Sequence, residues 1–311
     1  VGFSFRLSQP FAFQWLRMAV RWAARSAVVA VVAGVIGGAA AASVAGISPA
    51  ASTLTVLQWN PHWQCWGNPE CAGNASAALT TLLSTKELDF ANLIELEAPY
   101  TPPAGWASLG AYESCGHPYG DWDTLFYNSR KWKVVTNETA CMYTDRSFTL
   151  GVFASITSPG VTVVPVGAHF PQTLNASTHA YTDSVATLGA AIKAHTANLA
   201  SPKVVLMADT NTESPAGAAA SPSHHGVNKT NGELLHDLGV WPDAAADPPA
   251  APLFKGCCGG ETPPFAWEGD RIVANFGGPD PKATILFDPA PAWAAFPKSE
   301  FHKGVMLELQ Y

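Results

Sequence analysis

Apolar and polar positions alternate through "TLTVLQW" (53–59), a period of two that predicts a strand. The run stops at Asn60–Pro61, and "NPHWQCWGNPEC" (60–71), dense in turn formers, predicts a loop. Helical spacing follows in "NASAALTTLLSTKEL" (74–88), and "DFANLIELE" (89–97) reads as a buried strand ending in acids. "DTLFYN" (123–128) and "KWKVV" (131–135) predict a hairpin around Ser129–Arg130. "FTLGVFASIT" (148–157) and "VTVVPVGAHF" (161–170) predict another, turning at Ser158–Pro159–Gly160. The best helix pattern is 177–200, Ala- and Leu-bearing with a Ser/Thr start; "KVVLMAD" (203–209) returns as a strand. A short helix is predicted at 231–239, then strands "DRIVANF" (270–276), "KATILF" (282–287) and "KGVMLELQY" (303–311). Residues 212–229 and 242–266, rich in Pro, Gly, Ala and Ser, read as long loops.

Short strands, many in hairpins, are thus interspersed with a few helices. That order predicts an α+β fold, a four-layer α/β/β/α sandwich of two packed mixed or antiparallel sheets with helices outside. A doubly wound parallel sheet requires more regular strand–helix alternation. Residues 51–311 are read as one domain, and 1–50 as a separate leader with linker.

The leader carries Arg6, Arg17, Arg21 and Arg25, followed by an uncharged stretch at 26–47. Basic flank, apolar stretch and small-residue tail predict a secretory signal and a secreted protein. The stretch is also long enough to anchor the chain in a membrane with its domain outside, although its Gly and Ala content favours cleavage. Sequons at Asn74, Asn137, Asn175 and Asn228 fit a glycosylated, exported chain. So does the even set of Cys65, Cys71, Cys115, Cys141, Cys257 and Cys258, which suggests disulfides. Cys65–Cys71 and Cys115–Cys141 are plausible local pairs; Cys257 and Cys258 could bridge each other or take distant partners. The spacing matches no zinc pattern. Charged residues make up 13% and the net charge is −7, so no broad basic grip on nucleic acid is visible. An acidic protein that handles phosphate needs metal ions or a local basic patch.

Polar residues recur where apolar strands end. Asn60 follows "TVLQW", Glu95 with Glu97 ends "DFANLI", and His169 ends "VVPVGA". Asp209 and Asn211 end "VVLMA"; Asp270 precedes "RIVANF" and His302 precedes "KGVMLEL". Each alone reads as a turn, a surface imidazole or an ion pair. Their order is more informative. "LTVLQWN", "DFANLIE", "VGAHF", "LMADTN", "GDRIVANF" and "SEFHKGVML" together resemble the endonuclease/exonuclease/phosphatase superfamily, of which deoxyribonuclease I is the founding example. The resemblance spans 53–311.

It implies a metal-dependent phosphodiesterase. Glu95 and Asn60 take the metal role, with Mg²⁺ expected and Mn²⁺ or Ca²⁺ as alternatives. His302 with Asp270 forms a base or phosphate-binding dyad, and His169 acts from the other side of the phosphate. Asp209 handles the attacking water and Asn211 a phosphate oxygen. "GDWDTLFYN" assigns Asp121, with Asp123 competing, to orient His169, and "YTDRSF" assigns Arg146 to substrate phosphate. Glu95 is preferred to Glu97 because it lies six residues after Asp89. The chain departs from the family where Phe301, not Asp, precedes His302, with Glu300 one residue earlier. It also has Ser214 and Pro215 where the deoxyribonuclease branch has a Cys. The resemblance favours nucleic acid over phospholipid as substrate. A lipid phosphodiesterase and a non-catalytic secreted glycoprotein are the alternatives. Trp59, Trp63, Trp66 and Trp106 could line a stacking surface or serve as packing.

Overall fold

A computed structural model of the chain describes residues 52–96, 100–110, 115–116, 122–171, 179–211, 229–246, 248, 269–278, 281–294 and 301–311. These residues lie in the unit Ala50–Tyr311. The leader and its uncharged stretch fall outside them, and no helix among the described residues is long and apolar enough to cross a membrane.

Two mixed sheets carry the fold. The first orders its strands β10 (Lys282–Leu286), β11 (Gly304–Gln310), β1 (Thr53–Trp59), β2 (Phe90–Leu93), β4 (Thr124–Asn128) and β3 (Trp106–Leu109). The second orders β5 (Trp132–Tyr143), β6 (Arg146–Ser155), β7 (Thr162–His169), β8 (Val204–Asp209) and β9 (Asp270–Ala274). The four helices among the described residues are α1 (Trp63–Gly67), α2 (Pro69–Thr85), α3 (Ala180–Thr196) and α4 (Asn231–Asp237).

The period of two in β1 decides the layering. Leu54 and Val56 enter the core between the sheets with Phe90, Val205, Met207, Ile272 and Leu307. Leu57 and Trp59 face the other way, packing with Leu79, Leu82 and Leu83 of α2. On the far side, Leu188 and Ile192 of α3 and Leu234 and Leu235 of α4 cover Phe148, Val166 and Leu206 of the second sheet. Helix, sheet, sheet and helix therefore stack in four layers, as the pattern of elements predicts.

Three local expectations are corrected. The segment after β1 is not all loop: α1 occupies Trp63–Gly67, and α2 begins at Pro69, five residues before the expected start at 74. Asn68 caps the N–H groups of Glu70 and Cys71, and Pro69 takes the first helical turn, where its missing N–H costs nothing. β4 and β5 do not form a hairpin; β4 pairs with β2 and β3, while β5 pairs with β6 in the opposite sheet. The turn between them carries the chain across the sandwich. β3, short and half-exposed, has no counterpart in the sequence reading. The second predicted hairpin, β6–β7, is present. Cys65 is bonded to Cys71, tying α1 to α2, and Cys115 to Cys141; Cys257 and Cys258 lie outside the described residues. Of the sequons, Asn74 and Asn137 are exposed, and Asn175 and Asn228 lie outside the described residues.

Candidate active site

The row of β1 side chains facing the second sheet runs Leu54, Val56, Gln58, and Asn60 continues it past the strand end. Apolar positions thus give way to polar ones at one end of the inter-sheet layer. The second sheet does the same: Val205 and Met207 of β8 face the layer, and Asp209 completes their row. Register then places three candidates side by side, because His169 of β7 pairs with Asp209, and Asp209 pairs with Asp270 of β9. Adjacent strands lie about 4.8 Å apart, so the three functional groups meet across one sheet end.

Asp209 sits at the centre, 1% exposed. Its Oδ2 accepts from Asn60 Nδ2 at 3.0 Å and its Oδ1 from the Asn211 N–H at 2.9 Å. His302 Nδ1 lies 3.4 Å and His169 Nε2 3.8 Å from the same Oδ2. Burial opposes ionisation, but the two imidazoles and the two amide donors outweigh it and hold this carboxyl below its ordinary range. Asp270 goes the other way: burial and then the Asp209 carboxylate raise it. It bonds His302 Nδ1 through Oδ2 at 2.6 Å. Two neighbouring carboxyls with protonation pushed apart make an acid–base assembly.

Asn211 donates one amide hydrogen to Phe170 O at 2.8 Å and bonds His169 Nε2 at 2.9 Å. The carbonyl fixes the sense of the amide, so His169 Nε2 is the acceptor and its proton sits on Nδ1. Arg146 reaches the same carbonyl, Nε to Phe170 O at 3.1 Å, which brings it to the rim beside His169. Asn60 Oδ1 accepts from the His62 N–H at 2.9 Å, and Glu95 Oε2 from the next N–H, of Trp63, at 2.6 Å. Consecutive amides therefore hold the two expected metal donors next to each other. Glu95 Oε1 lies 3.9 Å from His169 Nδ1.

This donor pair, one carboxylate on a partly exposed Glu95 and one amide oxygen on a buried Asn60, fits a hard divalent cation, whose remaining positions waters would fill. Asp209, Asp270 and His302 also offer ligand atoms within 4.8 Å of one another. A cation there must displace the 2.6 Å bond from His302 to Asp270, so the geometry favours a shared proton at that position.

Three site residues take left-handed backbone: His62 (φ 78), Glu95 (φ 58) and Asn211 (φ 45). Such non-glycine conformations cost about 1–3 kcal/mol each and persist where surrounding contacts fix them. His62 escaped the sequence reading, hidden in a loop of turn formers. Its ring centroid lies 6.3 Å from that of His302. Burial and the His302 imidazole lower its pKa to about 3. Its only sequence signal is its place two residues after a strand-end Asn.

The structure therefore brings together Asn60, Glu95, His169, Asp209, Asn211, Asp270 and His302, with Arg146 at the rim. Asp121, Glu97 and Glu300 lie outside the described residues; Asp123, the competitor of Asp121, is buried at 1%. Phe301 turns away from the site into a ring cluster with Trp59, Phe287 and Trp293. Trp59 and Trp66 are buried packing residues, while Trp63 and Trp106 are half-exposed.

No family model matches the chain, and no curated protein matches it in sequence. Solved structures do match. An endonuclease/exonuclease/phosphatase from Bacteroides vulgatus superposes with a TM-score of 0.56 at 15% identity, covering 83% of this chain and 98% of that one. A Bacteroides thetaiotaomicron mannosyl-6-phosphatase gives 0.54 at 14%, covering 83% and 100%. D. rerio TDP2 complexed with single strand DNA product gives 0.51 at 12%, covering 83% and 98%. The fold is that of the endonuclease/exonuclease/phosphatase superfamily, as the order of motifs implies.

Proposed function

We propose that this chain is a metal-dependent phosphoesterase that cleaves phosphodiesters, with nucleic acid as substrate in the manner of a deoxyribonuclease-like endonuclease. The supporting observation is the Asp209–His302–Asp270 cluster, its carboxyls shifted in opposite directions, with His169 and Asn211 facing it. The fold's likeness to a TDP2 bound to a DNA product supports nucleic acid. The two disulfides support a protein exported to an oxidising compartment, consistent with the predicted leader.

The attacking water needs a base, the phosphate needs charge neutralisation, and the departing oxygen needs a proton or cation. Asp209, held ionised, orients and deprotonates the water. His302 carries a proton on the Nδ1 side toward Asp270 and presents Nε2 to the phosphate. Glu95 and Asn60 would hold a divalent cation, Mg²⁺ foremost, whose charge offsets that of the phosphate and the leaving oxygen. Asn211 uses both amide hydrogens on protein, so a phosphate oxygen engages it by displacing His169 Nε2. That exchange leaves Nε2 free to take a proton from solvent, which the ring can then hand to the departing oxygen.

A plasmid-nicking assay with Mg²⁺ or Ca²⁺ tests the reading. Wild type should nick, and His302→Ala should lose about 10³-fold or more. Activity confined to sphingomyelin or phosphoinositides would move the substrate class to lipid. Wild type inert on all three substrate classes would overturn catalysis.

A further inference from the structure

A seam of buried polar side chains crosses the apolar core between the two sheets. Gln58 of β1 and Asn92 of β2 are register partners, both 0% exposed, and both face the second sheet. Asn92 Nδ2 donates to Met207 O of β8 at 3.1 Å and to Gln58 Oε1 at 2.9 Å. Gln58 Nε2 donates to Asp270 Oδ1 at 2.9 Å. Asp270 Oδ2 meets His302 Nδ1 at 2.6 Å. A continuous chain of hydrogen bonds thus runs from the backbone of β8 to the dyad.

The sense of this chain is fixed at its start. Met207 O can only accept, so Asn92 must turn its NH₂ toward it. That NH₂ then faces Gln58, which must answer with its oxygen and so turns its own NH₂ to Asp270. The arrangement leaves Asn92 Oδ1 without a hydrogen-bond partner, an expense of about 1–3 kcal/mol that marks the orientation as imposed. Gly167 of β7 makes room for it: a Cβ there would lie 2.0 Å from Asn92 Oδ1.

We propose that Gln58 and Asn92 are positioning residues, a one-way relay that delivers a permanent N–H donor to Asp270 and so keeps the shared proton of the dyad on His302 Nδ1. The inference rests on the proposed phosphoesterase role only for its effect on turnover. The pair can hold its shared proton as an ion pair, Asp270 carboxylate with His302 imidazolium, or as a neutral pair with the proton moved across to Asp270 Oδ2. Burial and the adjacent Asp209 carboxylate favour the neutral pair. The donor from Gln58 stabilises the carboxylate and favours the ion pair. An imidazolium keeps a full charge and an Nε2–H for an anionic phosphate, which a neutral ring supplies more weakly.

Nitrogen-15 NMR of histidine-labelled protein reads the proton directly and needs no turnover. The His302 signals are assigned by their loss in His302→Ala. Wild type should show Nδ1 protonated. Gln58→Leu, close in volume and without a donor, should show Nδ1 losing its proton in a measurable fraction. In nicking assays its kcat should fall about ten- to hundredfold while KM changes less than about threefold. Nδ1 unprotonated in wild type overturns the relay, and that spectrum decides even if Gln58→Leu does not fold. Nδ1 as fully protonated in Gln58→Leu as in wild type, with kcat within about twofold, overturns it equally. A wild type inactive on every phosphoester overturns the proposed function, while the ring signature still decides the relay.

Discussion

His62 shows how one side chain acquires its properties from position alone. Its Nδ1 accepts from the Gln64 N–H at 3.4 Å, so a neutral ring carries its proton on Nε2. Its pKa falls from the ordinary 6.5 to about 3, through burial first and the His302 and His169 imidazoles after it, against a pull upward from Asp209. Between those values the unfolded chain binds the proton and the folded one does not. Stability contributed by His62 is therefore lost as pH drops through the unfolded value. His62→Asn keeps a cap acceptor and removes the titration. The wild type should lose about 2–3 kcal/mol more than this variant between pH 7 and about pH 4.5. Urea unfolding at both pH values measures it, and parallel losses would contradict the half-buried, neutral imidazole. Asp209, also depressed in the fold, weakens both proteins at low pH, so the difference isolates His62.

At the scale of elements, the approach to β11 decides how the site departs from the pattern that the sequence resemblance implies. Phe301 is 0% exposed, with ring centroids 6.4 Å from Trp59, 6.1 Å from Phe287 and 5.6 Å from Trp293. Trp59 Nε1 also holds His302 O at 3.2 Å, so the ring cluster anchors the backbone that presents the imidazole. Phe301→Asp places a carboxylate among these rings. It should cost about 3–5 kcal/mol of stability and gain no Mg²⁺ affinity, measured by urea unfolding and calorimetry. A stable variant with tighter Mg²⁺ binding would mean that the segment can turn residue 301 into the site. The same scale sets what could be read from sequence. β1, β8 and β9 were legible because their apolar rows end in a polar residue at the same layer edge, giving Asn60, Asp209 and Asp270 at once. Gln58 and Asn92 were not, because a single polar residue inside an apolar run carries no sign of what faces it. β4 and β5 look like a hairpin since alternation does not say which sheet a strand joins. Asn68–Pro69 reads equally as a turn or as a helix start, and only the cap geometry of α2 separates them.

The whole molecule poses an electrostatic problem. The net charge is −7, and the site itself buries Asp209 and Asp270 side by side with Glu95 nearby. On the proposed function, long-range attraction would not gather a polyanionic substrate, and affinity would come from local charge: Arg146, His302, and a cation held by Glu95 and Asn60. A divalent ion that binds only the folded state stabilises it by mass action, about 2.7 kcal/mol at a hundredfold excess over Kd. For a domain of this size that raises Tm by roughly 5–10 °C. The shift should appear with Mg²⁺, reverse on adding a chelator, and shrink to near zero in Glu95→Gln. His302→Ala should keep it, because on the proposed assignment the dyad holds a proton and the cation would sit with Glu95. Equal shifts in wild type and Glu95→Gln, together with a lost shift in His302→Ala, would move the cation to the Asp209–Asp270–His302 cluster and replace the shared proton with a metal ion.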